Sequence, residues 1–516
     1  TIFNQYTVRG NMRLYFERLR NFETLLVAAE IGAGFAENAG RPFAGAWQDY
    51  LLGSSHDYST VGGGLNGWYG TVTNATYRGP VQMSFARTLE NIMSEKLEAW
   101  QGRLSASLTE DAGGEFLTNI HGFPIPLDGD EDGVLEPFAS VRMASATARV
   151  TPRGLPEDAR ETPAQNFGGD FAVLENDNTR FRIGRETGAI ESALWEGRTL
   201  WKDNQLGIRL GDNRIRMTHG ALSGPVKSGD GQSIVHRGRI ADHKDGTIGW
   251  LETTYHLQPG HGDLLVEMVL CPAILPPRGD FDWQKEWAGT FRYALPRAGC
   301  SPEVRVCQGN AMLRVLPGKR DPGASGLAIP DALAHVTSPE ALGYEASEGC
   351  PVWLFNAGFP SYLVYEDRIE QFLRMPGEEH LRLRFGIGFG DTRYSAVQRS
   401  RLMFYPPLRT RKPMPSLPLK WGNPRVGLLR AEPGDGGLSL WFWNYSEHPE
   451  VFAPEIAPGW RDAGISSARG NLSPNPAGGG WVAGPYSLIH LQLLRVKTAR
   501  KPLPEPAEEP EACMLA

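Results

Sequence analysis

The chain has 516 residues, with 52 Lys and Arg against 59 Asp and Glu for a formal charge of −7. That length exceeds what a single hydrophobic core organises, so several domains are expected. The acidic balance argues against a nucleic-acid partner, and no run approaches the ~18 apolar residues of a membrane-spanning helix. The 61 Gly, 39 Pro and 14 Trp favour many short strands and turns over a long helical array.

Taken from the start, residues 11–33 have a helical period. Met12, Tyr15, Leu19, Phe22, Leu26 and Ala29 recur at intervals of three and four, one apolar stripe. A second helix is expected from Pro42, a favoured first-turn residue, with Phe43, Trp47, Tyr50 and Leu51 inward. A third covers about 78–104, with Leu89, Met93, Leu97 and Trp100 on one face. Three such helices cannot bury their stripes singly, so residues 11–110 are expected to form a three-helix bundle.

Beyond it the period changes to two, and the expected fold class is multidomain α+β: the bundle followed by large antiparallel β-sandwich domains. Strand candidates include Phe181–Ile183, Trp250–Leu257, Leu264–Leu270, Thr290–Leu295, Tyr362–Tyr365 and Leu381–Phe385. The boundaries read as β-sandwich territory over 111–405, a Pro-rich linker over 406–419, a β module over 420–496 and a disordered tail over 497–516. Residues 1–10 read as the end of a preceding domain.

Several motifs are weaker than they look. Gly62-x-Gly64-x-x-Gly67 follows a helix rather than a strand, so it reads as a loop and not a dinucleotide site. Asp128, Asp130, Asp132 and Gly133 begin like a calcium loop, but the bidentate position is Ala139. Sequons begin at Asn74, Asn444 and Asn471, about as many as chance supplies. Trp441 and Trp443 are candidate sugar-stacking aromatics, with core packing the expected use of both. The five cysteines form no CxxC pair; a sparse, odd set favours a reducing compartment of the bacterial cytoplasmic kind. Thr1 follows no initiator Met or signal segment, so the chain is read as processed or partial.

The cluster Ser54-Ser55-His56-Asp57 holds the candidate chemistry. Its neighbours are too close in sequence to face one another as a Ser-His-Asp triad. Its context is more informative. Tyr6-Thr7-x-Arg9, Arg13, Arg20, Glu23 and Leu25–Glu30, then the stretch Trp47 to Asp57, resemble the segment of glycoside hydrolase family 38 that leaves the catalytic barrel for a helical middle domain. Leu174-Glu175-Asn176 with Gly188 and Ile190, then Gly224-Pro225-Val226, Phe281-Asp282-Trp283 with Glu286, and Phe355-Asn356 through Phe385 continue in that family's order.

The resemblance implies a retaining α-mannosidase with Zn2+ at the cleaved sugar. His56 would be one zinc ligand and Asp57 a contact to sugar hydroxyls. The other ligands, the nucleophile and the general acid would all lie upstream, so no catalytic residue is expected in this chain and the chain alone should be inactive. The implied partner is an α-mannoside or oligosaccharide, with no membrane and with a homo-oligomer left open. Alternatives are a non-catalytic carbohydrate-binding or scaffold protein, and a split subunit that lends His56 to a barrel-bearing partner. Three departures bear on specificity: Asn4-Gln5 before Tyr6, Gly358–Ser361 in place of a Lys-Tyr-Gly-like element, and no His in Gly386–Asp391.

Overall fold

The computed structural model describes residues 116–496, except 127–133, 143–169, 203–206, 211–212, 215, 229–230, 242–246, 258–261, 273–290, 298–302, 309, 317–331, 347–348, 358–360, 375–381, 406, 411–416 and 435. The expected barrel end and helical bundle, His56 and Asp57, the Gly62 and Asp128 motifs, Asn74 and the tail from 497 therefore lie outside the described residues. What is described is dominated by antiparallel strands, as the change to period two predicts. Among these residues one α-helix occurs, α1 at Ala396–Phe404. None is long and apolar enough to cross a membrane.

The largest layer is a nine-stranded sheet. Its spatial order runs Arg216–Ser228, Gly231–Ala241, Thr247–Leu257, Leu264–Pro272, Arg382–Phe389, Pro351–Asn356, Ala341–Glu345, Val304–Gln308 and Ala311–Val315. A six-stranded sheet centred on Phe291–Pro296 and Arg368–Arg374, and a four-stranded meander over Phe171–Trp201, supply the opposing residues. One apolar cluster joins all three: Phe181 and Ile190 from the meander, Tyr293 and Ile369 from the six-stranded sheet, Val266, Leu354 and Phe385 from the nine-stranded one.

The central strands of that large sheet are buried on both faces. Leu264 and Val266 point into the sandwich, whereas Leu265 between them joins a second cluster on the far side. Val352 and Leu354 alternate with Trp353 and Phe355 in the same way. This is why Val352–Phe355 reads as an unbroken apolar run rather than an alternation.

The second cluster is capped by α1 and by a smaller sandwich. That sandwich pairs a four-stranded sheet, Val426–Gly434, Gly437–Asn444, Leu488–Arg495 and Trp460–Arg469, with a three-stranded one built on Trp481–Ala483. Leu438, Leu440, Phe442, Ile489, Leu491 and Leu493 alternate inward to make its own core. Leu408–Thr410, within the stretch 406–419 expected as a linker, is a strand paired antiparallel with Phe116–Thr118.

Candidate functional site

The two residues singled out for chemistry, His56 and Asp57, fall outside the described residues. The described residues do form an open cleft. It lies where α1, the outer face of the nine-stranded sheet and the loop after Asn444 meet.

Helix α1 is held at this junction by its sequence. Ser395 caps it: the Ser395 hydroxyl accepts from the Gln398 N–H at 3.3 Å, and the Gln398 side chain accepts from the Ser395 N–H at 3.0 Å. The helix lies close to the strand Arg382–Phe389 because Gly386 and Gly388 face it. A Cβ at Gly386 would come within 2.2 Å of the Met403 sulfur, and one at Gly388 within 2.5 Å of the Arg399 guanidinium.

Two buried arginines on α1 fix it from opposite sides. Arg399 pairs with Asp263 and donates to the Gly390 and Phe389 carbonyls at 2.9 and 3.1 Å. Arg401 donates to both carboxylate oxygens of Glu340 at 2.7 and 3.2 Å, to the Tyr445 hydroxyl at 3.0 Å and to Asn310 Oδ1 at 2.8 Å. Buried charges survive only when paired and hydrogen-bonded in this way. Arg401 thereby ties the large sheet to the first residue after the strand Gly437–Asn444.

The loop that follows is preset by Asn444, which is fully buried. Its Nδ2 donates to the carbonyls of His448, Ala483 and Gly484 at 2.9, 3.2 and 2.9 Å, and its Oδ1 accepts from the Ser446 N–H at 2.8 Å. The Ser446 hydroxyl accepts from the His448 N–H at 3.0 Å. Glu447 and His448 are thus carried on a fixed turn. The Glu447 carboxylate faces Arg305 and Arg314 at 3.8 Å each and the His448 ring at 3.9 Å. The sequon at Asn444 is accordingly a structural feature: the amide is itself buried and spent on three backbone carbonyls, which leaves no room for a glycan.

Tyr486 and Trp353 also line the cleft. The Tyr486 hydroxyl accepts from the Met312 N–H at 3.3 Å and donates to the Met312 carbonyl at 3.0 Å. Burial holds the Tyr486 phenol above its ordinary pKa, so it stays a neutral donor. Trp353 donates from Nε1 to the Gly390 carbonyl at 3.1 Å, and the Arg305 guanidinium lies 5.6 Å from its ring centre. The cleft encloses about 100 Å³, room for several waters or part of a small ligand but less than the ~300–1,000 Å³ of a site that engulfs one.

Of the tryptophans read from sequence, Trp443 is buried in the cluster between the sandwiches, as expected. Trp441, two residues earlier on the same face, is half-buried and stacks on His490 with ring centres 4.3 Å apart. Among the described residues no group of three or more His, Cys, Asp and Glu side chains is placed to hold a metal ion. The cleft was not found by sequence reasoning, because its residues range from Arg305 to Tyr486 with no local motif; the one local signal was the Asn444-x-Ser446 turn.

No family model matches the sequence, and no curated protein matches it. Solved structures do. An α-mannosidase from Enterococcus faecalis V583 superposes with a TM-score of 0.57 at 11% identity, covering 95% of this chain and 68% of its own. A protein of glycosyl hydrolase family 38 from Enterococcus faecalis gives a TM-score of 0.58 at 11% identity, over 95% of this chain and 70% of its own. At such identity the likeness is one of fold, and nearly the whole chain takes part in it. The chain therefore has the fold of the C-terminal portion of a glycoside hydrolase family 38 α-mannosidase.

Proposed function

We propose that this chain is part of a zinc-dependent retaining α-mannosidase that hydrolyses terminal α-mannosides. The observation that carries the reading is the likeness of fold along 95% of the chain to the Enterococcus faecalis α-mannosidase. Independently, the order of short sequence elements from Tyr6 to Phe385 resembles the same family.

In this reading His56 contributes one zinc ligand and Asp57 contacts the sugar. A neutral imidazole nitrogen suits zinc, and a carboxylate beside it can accept charge-assisted hydrogen bonds from sugar hydroxyls. Bound zinc would supply a Lewis-acid grip on two adjacent hydroxyls of the cleaved sugar. Retention requires two further carboxylates ~5–5.5 Å apart, a nucleophile and an acid. In this reading both lie outside these 516 residues, as do the remaining ligands. Among the described residues no group of three or more His, Cys, Asp and Glu side chains could hold the metal, and His56 is the one ligand this reading assigns to the chain.

The test is to measure bound zinc and turnover of an aryl α-mannoside in the polypeptide that contains this chain. His56→Ala is expected to lower zinc content and turnover together, and Asp57→Asn to lower turnover with zinc retained. Normal zinc and normal turnover in His56→Ala would overturn the assignment. The 516-residue chain by itself is expected to show no turnover.

A further inference from the structure

The strand Gly437–Asn444 alternates strictly. Leu438, Leu440 and Phe442 fill the core of the small sandwich, so Ser439 and Trp441 stand on the opposite face of its four-stranded sheet. Pairing with Leu488–Arg495 sets His490 beside Trp441 and Gln492 beside Ser439. From the other flank, Val426–Gly434 sets Arg430 beside Trp441 and Glu432 beside Ser439. Trp443, next along the face, joins the cluster between the sandwiches, whereas Trp441 belongs to neither neighbouring cluster. Core packing, the use expected of Trp441 from sequence, is therefore not the use it has.

We infer that this outer face is a second carbohydrate site, where Trp441 receives a pyranose ring of a neutral saccharide chain. The choice of an α-mannoside as that saccharide rests on the α-mannosidase reading; the site itself rests on the sheet face.

The ring is fixed on one side only. Trp441 stacks on His490 with ring centres 4.3 Å apart and planes 26° from parallel. Ser439 Oγ lies 2.7 Å from His490 Nε2 and holds the imidazole in place. Among the described residues no other ring or guanidinium makes a ring contact with Trp441. A half-exposed indole held in this way offers an apolar surface to the C–H face of a sugar, at little cost in side-chain entropy.

Polar groups stand unspent beside it. The Trp441 indole N–H makes no hydrogen bond within the protein and is not buried, and the exposed Gln492 amide makes none either. Between them they supply donors and an acceptor for sugar hydroxyls. The charged groups flanking Trp441 and Ser439, Arg430 and Glu432, neutralise one another at 2.7 Å, so the flank selects neither an anion nor a cation. Arg461 and Arg469 lie two strands from Trp441, towards the ends of Trp460–Arg469.

The far side of the platform is low. Ser466 pairs with His490 and Gly464 with Gln492, and both are exposed. A saccharide chain can therefore lie across the strands instead of inserting an end. Contact with one or two of its rings makes for weak binding and quick release.

The experiment is native electrophoresis of the whole chain in gels containing mannan, with His56→Ala throughout so that the zinc subsite contributes nothing. Mannan is expected to retard this protein. Adding Trp441→Ala should raise the mannan concentration needed for equal retardation at least tenfold. Gln492→Ala, at an exposed side chain with no hydrogen bond to lose, should weaken retardation at an unchanged melting temperature. Retardation unchanged in both variants would overturn the inference, as would no retardation by either mannan or dextran. A dimer in sedimentation that Trp441→Ala dissociates would overturn it too, by giving the face to a second copy. Trp441-dependent retardation by dextran alone keeps the platform and removes the mannoside. The two readings fail separately. Zinc-dependent turnover with Trp441-independent retardation removes only the platform. Trp441-dependent retardation without zinc or turnover removes only the proposed activity.

Discussion

His236 occupies a slot made by two missing side chains. A Cβ on Gly188 would lie 2.4 Å from its Nδ1, and one on Gly220 would lie 2.6 Å from its Nε2. Gly188 also has φ +58°, a conformation that glycine adopts at little cost. The ring donates from Nε2 to the Arg185 carbonyl at 3.0 Å. Burial pushes its pKa down to about 4, and the same cause takes His121, which donates to the Tyr405 carbonyl, down to about 4. Both are neutral in the fold at pH 7 and would titrate at 6.5 in the unfolded chain. Between those values the unfolded chain binds protons that the native state refuses. Their contribution is therefore present above pH 6.5 and is lost as pH falls towards 4, by roughly 3 kcal/mol for each ring. Urea midpoints at pH 7.5 and 4.5 measure this. His236→Gln, uncharged throughout, should be less stable at pH 7.5 but should lose less on acidification. Identical pH dependence in variant and wild type would show that His236 does not drive the acid sensitivity. At Gly188 itself, Gly188→Ala joins a left-handed backbone to a steric clash, and should cost more than about 2 kcal/mol in the same assay.

Among elements, α1 shows how much a sequence pattern conveys and where it stops. The strands around it were legible, Trp250–Leu257 by alternation and Leu264–Leu270 as a short apolar run, and both appear within or as slightly longer strands. Gly386 and Gly388, two apart in one strand, signal a close approach on one face, which is where the helix packs. The helix itself was not legible: Ala396–Phe404 is short and carries two arginines that look solvent-facing until Asp263 and Glu340 arrive from distant strands. The cleft was hidden for the same reason, since Arg305, Glu447 and Tyr486 meet only through pairings that span the fold. His56 and Asp57 were visible by resemblance alone. The buried Arg401–Glu340 pair makes a direct prediction. Arg401→Leu alone leaves the Glu340 carboxylate buried without its partner and should cost about 3–5 kcal/mol. Arg401→Leu with Glu340→Leu should recover much of that loss, because two apolar side chains need no solvation. Thermal melts of the four proteins in that cycle give the coupling. A double variant no more stable than the single one would mean that the pair's other contacts, to Asn310 and Tyr445, matter more than its charge balance.

For the whole molecule, the decisive feature is the apolar cluster between the sandwiches. Leu265, Trp353 and Phe355 come from the large sheet, Val397 and Met403 from α1, and Trp443 and Tyr445 from the small sandwich. A cluster fed from both sides cannot be exposed by one without loss to the other. The Tyr486–Met312 and Arg401–Tyr445 hydrogen bonds reinforce the same seam. The two sandwiches should therefore open as one cooperative unit rather than as independent domains. Hydrogen exchange read by mass spectrometry separates the cases. Amides of Leu440 and Phe442 in the small sandwich should show the same opening free energy as those of Val266 and Leu354 in the large one. Tyr486→Ala removes two hydrogen bonds and part of the seam, about 1–2 kcal/mol, and should speed exchange roughly tenfold in both sandwiches alike. If the small sandwich already exchanges on its own in the wild type, the seam is a contact and not a coupling.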